Sequence, residues 1–391
     1  MKVSELSRKE YLERIRGRYG RAGREHKGRI LNEFCEVCGY DRKHAIKLLN
    51  GSLPSPKGRR GCRPRYGEAE REILEEIWRH AEQLCSKRLK AALPLWLPAY
   101  ERRHGVLGAK VRANLLAMSP ATMDRLLAPL RAREGRSRRS GTRPGSLLKT
   151  QIPIRTGAWD VSQPGYLEAD TVAHCGGSMS GEFVWSLTFT DIHTGWSGCR
   201  AVWNRGAQGV VEEVRNIEES LPFRILGFDS DNGSEFLNHH LLRYFTDRPR
   251  KRRIHFTRSR PYQKNDNAYV EQKNWTHVRQ LLGYERLEDP ALLEPINDLY
   301  RQEWLQLQNF FCPSMKLLSK ERHGSRYVKR YDTPQTPYQR LKKGKGLSRA
   351  KRRELKELFE QLDPFELQQC IEKKLKTIFA IAKRLPERRA S

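Results

Sequence analysis

Between Tyr166 and Leu282 the chain runs through three β-prone segments in direct succession and then alternates helix with strand, an order that few folds accommodate. Segments 166–170, 183–190 and 196–202 are rich in aromatic and β-branched residues, and Asp191-Ile192-His193-Thr194-Gly195 supplies a turn between the second and third. A helix over 207–220, a strand over 223–229, a short helix over 235–245, a strand over 254–257 and a helix over 267–282 follow. Strands joined by short turns pair antiparallel, whereas strands separated by a helix pair parallel. The segment therefore predicts a mixed sheet with helices on both faces.

Charge narrows the partners. The 391 residues hold 75 Lys and Arg against 46 Asp and Glu, a formal charge of +29. Such a surplus attracts polyanions and raises their on-rates; nucleic acid and acidic membrane surfaces are the two readings. No apolar run approaches the roughly 20 residues that span a bilayer, and Met1-Lys2-Val3-Ser4-Glu5 lacks the apolar core of a signal peptide. The expectation is double-stranded DNA as partner, no membrane, and a cytoplasmic, nucleoid-associated location. Eight cysteines, scattered apart from Cys35 and Cys38, are expected as reduced thiols.

Residues 1–52 read as helical. Ile30, Leu31, Phe34, Cys35 and Cys38 recur at helical spacing, Gly39 ends that helix, Asp41 can cap the next, and 42–49 forms a short basic helix. This is the helix-turn-helix pattern. Ala45, Ile46 and Leu49 are expected to face inward, and Arg42, Lys43, His44 and Lys47 outward toward DNA; an ordinary hairpin with a solvated basic face is the alternative. Cys35 and Cys38 read as members of the small helical core, with a zinc site including His26 and His44 as the rival. A basic linker is expected over 53–65. A second helical domain over 66–130 carries the stripe Ile73, Leu74, Ile77, Trp78, Ala81 and Leu84, and Ser119-Pro120 starts a helix with Met123, Leu126, Leu127 and Leu130. It reads equally as a second helix-turn-helix presenting Thr122 and Arg125 or as a packing module. Residues 131–158 are basic without apolar periodicity, and are expected to be a second linker. The sheet-forming core is assigned to 159–288. A basic C-terminal region over 289–391 is expected to be mainly helical, with an irregular Tyr-rich stretch at 323–341.

Three carboxylates stand out within the core. Asp170 closes the first strand, Asp231 follows the fourth, and Glu271 lies on the last helix, with 60 and 39 residues between them. Each alone is unremarkable, as a turn former or a solvated charge. Together, on two strands and a helix, they can hold two divalent metals roughly 4 Å apart for phosphoryl transfer, and Mg²⁺, a hard ion, takes oxygen ligands. Asp229 and Asp231 lie two apart on one strand and so share a face, which leaves the middle ligand open on spacing alone. Arg260 and Lys264 before the Glu271 helix, and Lys273 and Arg279 on it, are candidates for gripping phosphates; a solvated basic face is the alternative.

The hexad Asp231-Asn232-Gly233-Ser234-Glu235-Phe236, and Arg260-Pro261-Tyr262 leading to Val270-Glu271-Gln272-Lys273-Asn274, resemble the catalytic core of retroviral integrases and bacterial DDE transposases. Glu168-Ala169-Asp170-Thr171-Val172-Ala173-His174-Cys175-Gly176-Gly177 is similar to a group of bacterial insertion-sequence transposases, as are His323-Gly324-Ser325-Arg326 and Thr336-Pro337-Tyr338. With the helical readings on either side of the core, the resemblance predicts a multidomain fold: N-terminal all-α helix-turn-helix modules, a central α/β ribonuclease H-like domain and a mainly α C-terminal region. It also implies that Asp231 is the middle ligand, that Asp170, Asp231 and Glu271 bind Mg²⁺ (with Mn²⁺ as substitute), and that a homo-oligomer pairs element ends and joins them to target DNA. Two alternatives are a non-catalytic DNA-binding regulator derived from a transposase and a metal-dependent nuclease.

Overall fold

The computed structural model describes residues 5–51, 65–133, 162–204, 206–230, 236, 239–249, 253–258, 268–323 and 326–389. The chain divides into two compact units, Met1–Arg65 and Tyr66–Ser391.

The first unit is three helices, α1 (Glu5–Arg21), α2 (Arg24–Cys38) and α3 (Arg42–Asn50). Helix α2 stops because Gly39 adopts the left-handed conformation, φ +69°, and its N–H closes back on Cys35 O at 2.8 Å. Asp41 then caps α3, its carboxylate accepting the Lys43 amide at 2.9 Å. Leu12, Ile15, Leu31, Phe34, Ala45 and Leu49 meet in one core, with Cys38 buried in it and Cys35 packed against it. Ile46, expected inward, is 37% exposed. Ala45 and Leu49, one turn apart, define the inner face of α3, and Ile46 lies about 100° round from Ala45.

The second unit opens with α4 (Glu68–His80), α5 (Ser86–His104), α6 (Ala109–Ala117) and α7 (Pro120–Arg133). The stripe from Ile73 to Leu84 is buried throughout. These helices share a core with the rest of the unit: Trp96 Nε1 donates to Phe311 O at 3.1 Å, and Arg88 Nε donates to Pro313 O.

The sheet comprises β1 (Tyr166–Ala173), β2 (Val184–Asp191), β3 (Ser197–Trp203), β4 (Gly227–Ser230) and β5 (His255–Arg258), in the order β3-β2-β1-β4-β5. The β1–β2 and β2–β3 pairs are antiparallel, and β1–β4 and β4–β5 parallel. Every residue of β2 is buried, as a central strand covered on both faces requires. Helices α8 (Ala207–Ser220), α9 (His239–Thr246) and α10 (Ala268–Lys273) follow the predicted order, and α10 continues through a π-helical stretch, Asn274–Arg279, to Leu282. Gly198 lies against Ile217 of α8, whereas its neighbour Cys199 is in register with Thr188 and Asp170, and Asp170 is bonded by Asn274 in the continuation of α10, so the two helices cover opposite faces.

The outer edge of β3 is closed without another strand. The Asn309 amide donates to Ser197 O and accepts from Ser197 N, both at 3.0 Å. Asn297 donates to Ala201 O at 3.0 Å and accepts from Ala201 N at 2.7 Å. These side chains stand in for a neighbouring strand and block edge pairing. Asn297 belongs to α11 (Leu293–Leu299), and Asn309 to a π-helical turn, Leu307–Phe311.

Beyond them lies a hairpin, β6 (Leu317–His323) with β7 (Arg326–Tyr331), and β7 falls within the stretch 323–341 that was expected to be irregular. Helices α12 (Pro337–Lys343), α13 (Arg349–Gln361) and α14 (Pro364–Arg389) complete the chain. The whole is an N-terminal helical region, a central mixed α/β sheet and a mostly helical C-terminal region. Among the described residues, no helix is long and apolar enough to cross a membrane.

Candidate functional site

Pairing of β1 with β4 sets Glu168 opposite Asp229. Alternate residues on a strand share a face, so Glu168, Asp170 and Asp229 lie together on the face that α10 covers. Glu168 is buried and its Oε2 accepts the Val270 amide at 3.2 Å; Val270 is in the first turn of α10, where amides have no partner within the helix. Asp170 Oδ2 accepts from Asn274 Nδ2 at 2.6 Å, and its Oδ1 from the Thr171 amide at 2.8 Å. Asp229, also buried, accepts from Thr257 Oγ1 at 2.5 Å. Glu271 is exposed on α10, one turn before Asn274.

This arrangement corrects the chemistry expected of the trio. Among the described residues, no group of three or more His, Cys, Asp or Glu side chains is placed to hold a metal ion. Oxygen ligands must converge to about 2.1 Å from Mg²⁺; Asp170 is bonded to Asn274 and Thr171, and Asp231 lies outside the described residues. The expectation of a DDE transposase or integrase working by two metals is overturned, and with it Mg²⁺ or Mn²⁺ as cofactor.

Two candidate phosphate contacts on the same helix turn inward. Lys273 Nζ lies 3.5 Å from His277 Nε2. Burial, then the nearby Arg88 and Arg340 guanidinium groups, pulls its pKa down to about 7. His277 is buried and held well below the usual imidazole range by burial and by Lys273; its carbonyl accepts from Trp304 Nε1 at 2.8 Å. Arg279 donates to Ala173 O at 2.9 Å and packs over the Tyr284 ring, 4.7 Å from its centroid, so it ties α10 to the end of β1. Arg260 and Lys264 lie outside the described residues.

The N-terminal unit differs. Arg42, Lys43, His44 and Lys47 are all exposed on α3, while Ala45 and Leu49 of the same helix are buried. His44 packs edge-on against Tyr40 in the turn, centroids 5.1 Å apart, and Arg42 donates to Asn32 on α2. The cap, the turn and the small core thus hold Lys43, His44 and Lys47 on the solvent side of α3, with Arg42 exposed at its first turn.

No protein-family model matches the chain. Over 344 residues, 87% of this chain and 96% of the relative, it is 43% identical to y4rM, an uncharacterized protein of Sinorhizobium fredii. The chain belongs to the y4rM family. Two solved structures resemble this y4rM-family chain at lower identity. A chain of the simian T-cell lymphotropic virus intasome, determined in complex with PP2A regulatory subunit B56 gamma, is 14% identical with a TM-score of 0.31, covering 62% of this chain and 74% of that one. The catalytic core domain of BIV integrase is 16% identical with a TM-score of 0.27, covering 44% and 91%. Likeness this loose carries no weight for chemistry, and the architecture rests on strand order and packing.

Three polar residues of the y4rM-family chain escaped the sequence reading of the site: Glu168, Asp229 as a buried partner of Thr257, and Asn274. Glu168 carried a usable signal, since it stands two residues before Asp170 and so shares its face. Asn274 carried a second, one helical turn after Glu271.

Proposed function

We propose that the protein is a duplex-DNA-binding protein of transposase-like build that acts as a regulator, reading DNA through its N-terminal unit. The observation that carries this reading is the outer side of α3: Lys43, His44 and Lys47 exposed within one arc of about 100°, with Arg42 exposed at the first turn, on a helix held by the Asp41 cap and the buried Ala45 and Leu49. Helix, three-residue turn and short basic helix fit the helix-turn-helix mode, in which the second helix enters the major groove. Nine residues make a helix about 13 Å long, commensurate with a groove about 12 Å wide. The formal charge of +29 supplies the attraction to phosphate. The transposase-like scaffold is supported by the sheet order β3-β2-β1-β4-β5, with three antiparallel strands and two parallel additions, which is the layout of a ribonuclease H-like domain.

Binding-site selection tests the reading. The full chain is mixed with a pool of randomised duplexes, and retained DNA is sequenced. A recurrent motif that disappears with the triple variant Arg42→Gln, Lys43→Gln, Lys47→Gln supports it. Retention without any motif, unchanged in the variant, would sink it.

A further inference from the structure

The β6–β7 ribbon lies open to solvent. Every described side chain over 321–323 and over 326–331 is exposed, as are Leu317 and Leu318. A two-stranded ribbon is marginal in water by itself, and this one is fastened at its base. Lys316 N donates to Asp332 Oδ1 at 2.6 Å, Asp332 N donates to Lys316 O at 2.9 Å, and Arg340 Nη2 holds the other Asp332 oxygen at 2.9 Å. A second pairing of Ser314 with Gln335 extends the clamp.

Charge is distributed over both faces. Directly opposed residues of an antiparallel pair share a face. His323 opposite Arg326, and Arg330 opposite Ser319, lie on one side; Arg322 and Lys329 lie on the other. Glu321, the one acid of the two strands, sits 3.6 Å from His323. Arg326, Lys329 and Arg330 make no ion pair among the described residues.

We propose that this ribbon is a second DNA-binding element, one that enters the major groove of duplex DNA. The proposal rests on the DNA-binding reading above and adds a contact from the second unit. Cations on a single face would suit a ribbon lying across a surface. Cations on both faces suit one inserted between two rows of phosphate, and the major groove admits a two-stranded ribbon. Strands of six or seven residues span about 20 Å, with a separation of about 4.8 Å. Two ribbons of this chain facing each other would instead bring like charges together, which disfavours self-pairing.

The test measures affinity of the full chain for a labelled duplex of about 30 base pairs, from about 50 to about 200 mM salt. Wild type is compared with Arg326→Gln, Lys329→Gln, Arg330→Gln, and with a variant carrying Lys at both Arg positions. Each phosphate contact contributes about 0.9 to the log–log salt slope, so three lost contacts reduce it by about 2.7. Across that salt range the wild type should then lose about 40-fold more affinity than the Gln variant. The Lys variant should keep the wild-type slope. A wild type that binds with a slope identical to the Gln variant overturns the ribbon while leaving the α3 reading intact. A wild type that binds no DNA overturns both. A dimer that the Gln substitutions split, with the slope unchanged, would make the ribbon a self-association surface instead. Matching circular dichroism and melting of the variants confirms that the readout is charge and not unfolding.

Discussion

Lys273→Met separates an interior lysine from a phosphate-gripping one. In the folded chain Lys273 has its pKa pulled down to about 7 by burial, Arg88 and Arg340, with His277, Cys312 and Cys199 also around it. An unfolded lysine titrates near about 10.4. Between these values the unfolded chain holds a proton that the folded chain lacks, so stability rises with pH across that window and levels off above it. Below it both states are protonated and the burial penalty is felt in full. From pH 7 to about pH 9 the gain is about 2 kcal/mol, at about 1.4 kcal/mol per unit with the folded group half-protonated at the start. Urea unfolding followed by tryptophan fluorescence reads this cleanly. All eight tryptophans lie beyond residue 65, so the signal reports the second unit alone. The Met variant should lack that rise, and it should bind DNA with the wild-type salt slope. Parallel pH profiles for wild type and variant would refute the reasoning. A salt slope reduced by about 0.9 would return Lys273 to the phosphate contacts.

Other consequences follow from single contacts. Arg340 is buried and donates to Ser314 Oγ at 2.8 Å, Ser314 O at 2.6 Å and Asp332 at 2.9 Å; Arg340→Met leaves Asp332 without its cation, should cost about 3 kcal/mol, and should speed amide exchange across residues 314–335. Gly165 has φ +122°, and a Cβ there would meet Arg224 O at 2.5 Å; because its carbonyl also accepts the Leu226 amide at 2.8 Å as the chain enters β4, Gly165→Ala should destabilise by about 2 kcal/mol or more, read as a lower melting temperature. Asn309→Ala should cost about 1–2 kcal/mol by leaving Ser197 N and O unpaired at the sheet edge, with faster exchange at Ser197.

The central sheet was legible because its signals are local. β2 is an unbroken buried run, and the turn at Asp191 announces itself through a carboxylate that accepts the Thr194 amide at 2.7 Å and Thr194 Oγ1 at 2.6 Å. The hairpin over 317–331 was not legible, since strands exposed on both faces have no alternation of apolar and polar residues to display. The surroundings of Lys273 and Arg279 were hidden for another reason. Their spacing on α10 reads as a basic face, but what surrounds Lys273 comes from afar: Arg88 on α5 and Arg340 on α12. Residues 66–130 posed the same difficulty, because the partner of Trp96 is the carbonyl of Phe311. The acid trio shows the limit of spacing. Order along the chain brings Asp170 beneath α10, yet it does not reveal that Asn274 holds its carboxylate, nor that Glu168 and Asp229 are buried beside it.

The most direct measurement is the salt dependence of duplex binding by the α3 face. Fluorescence anisotropy of a labelled duplex is titrated with wild type and with Arg42→Gln, Lys43→Gln, Lys47→Gln, from about 50 to about 200 mM salt. Expected is tight, salt-sensitive binding by wild type, and a slope smaller by up to about 2.7 for the variant, with circular dichroism unchanged. Absence of wild-type binding at the lowest salt, or identical slopes for the two proteins, would contradict DNA recognition through α3.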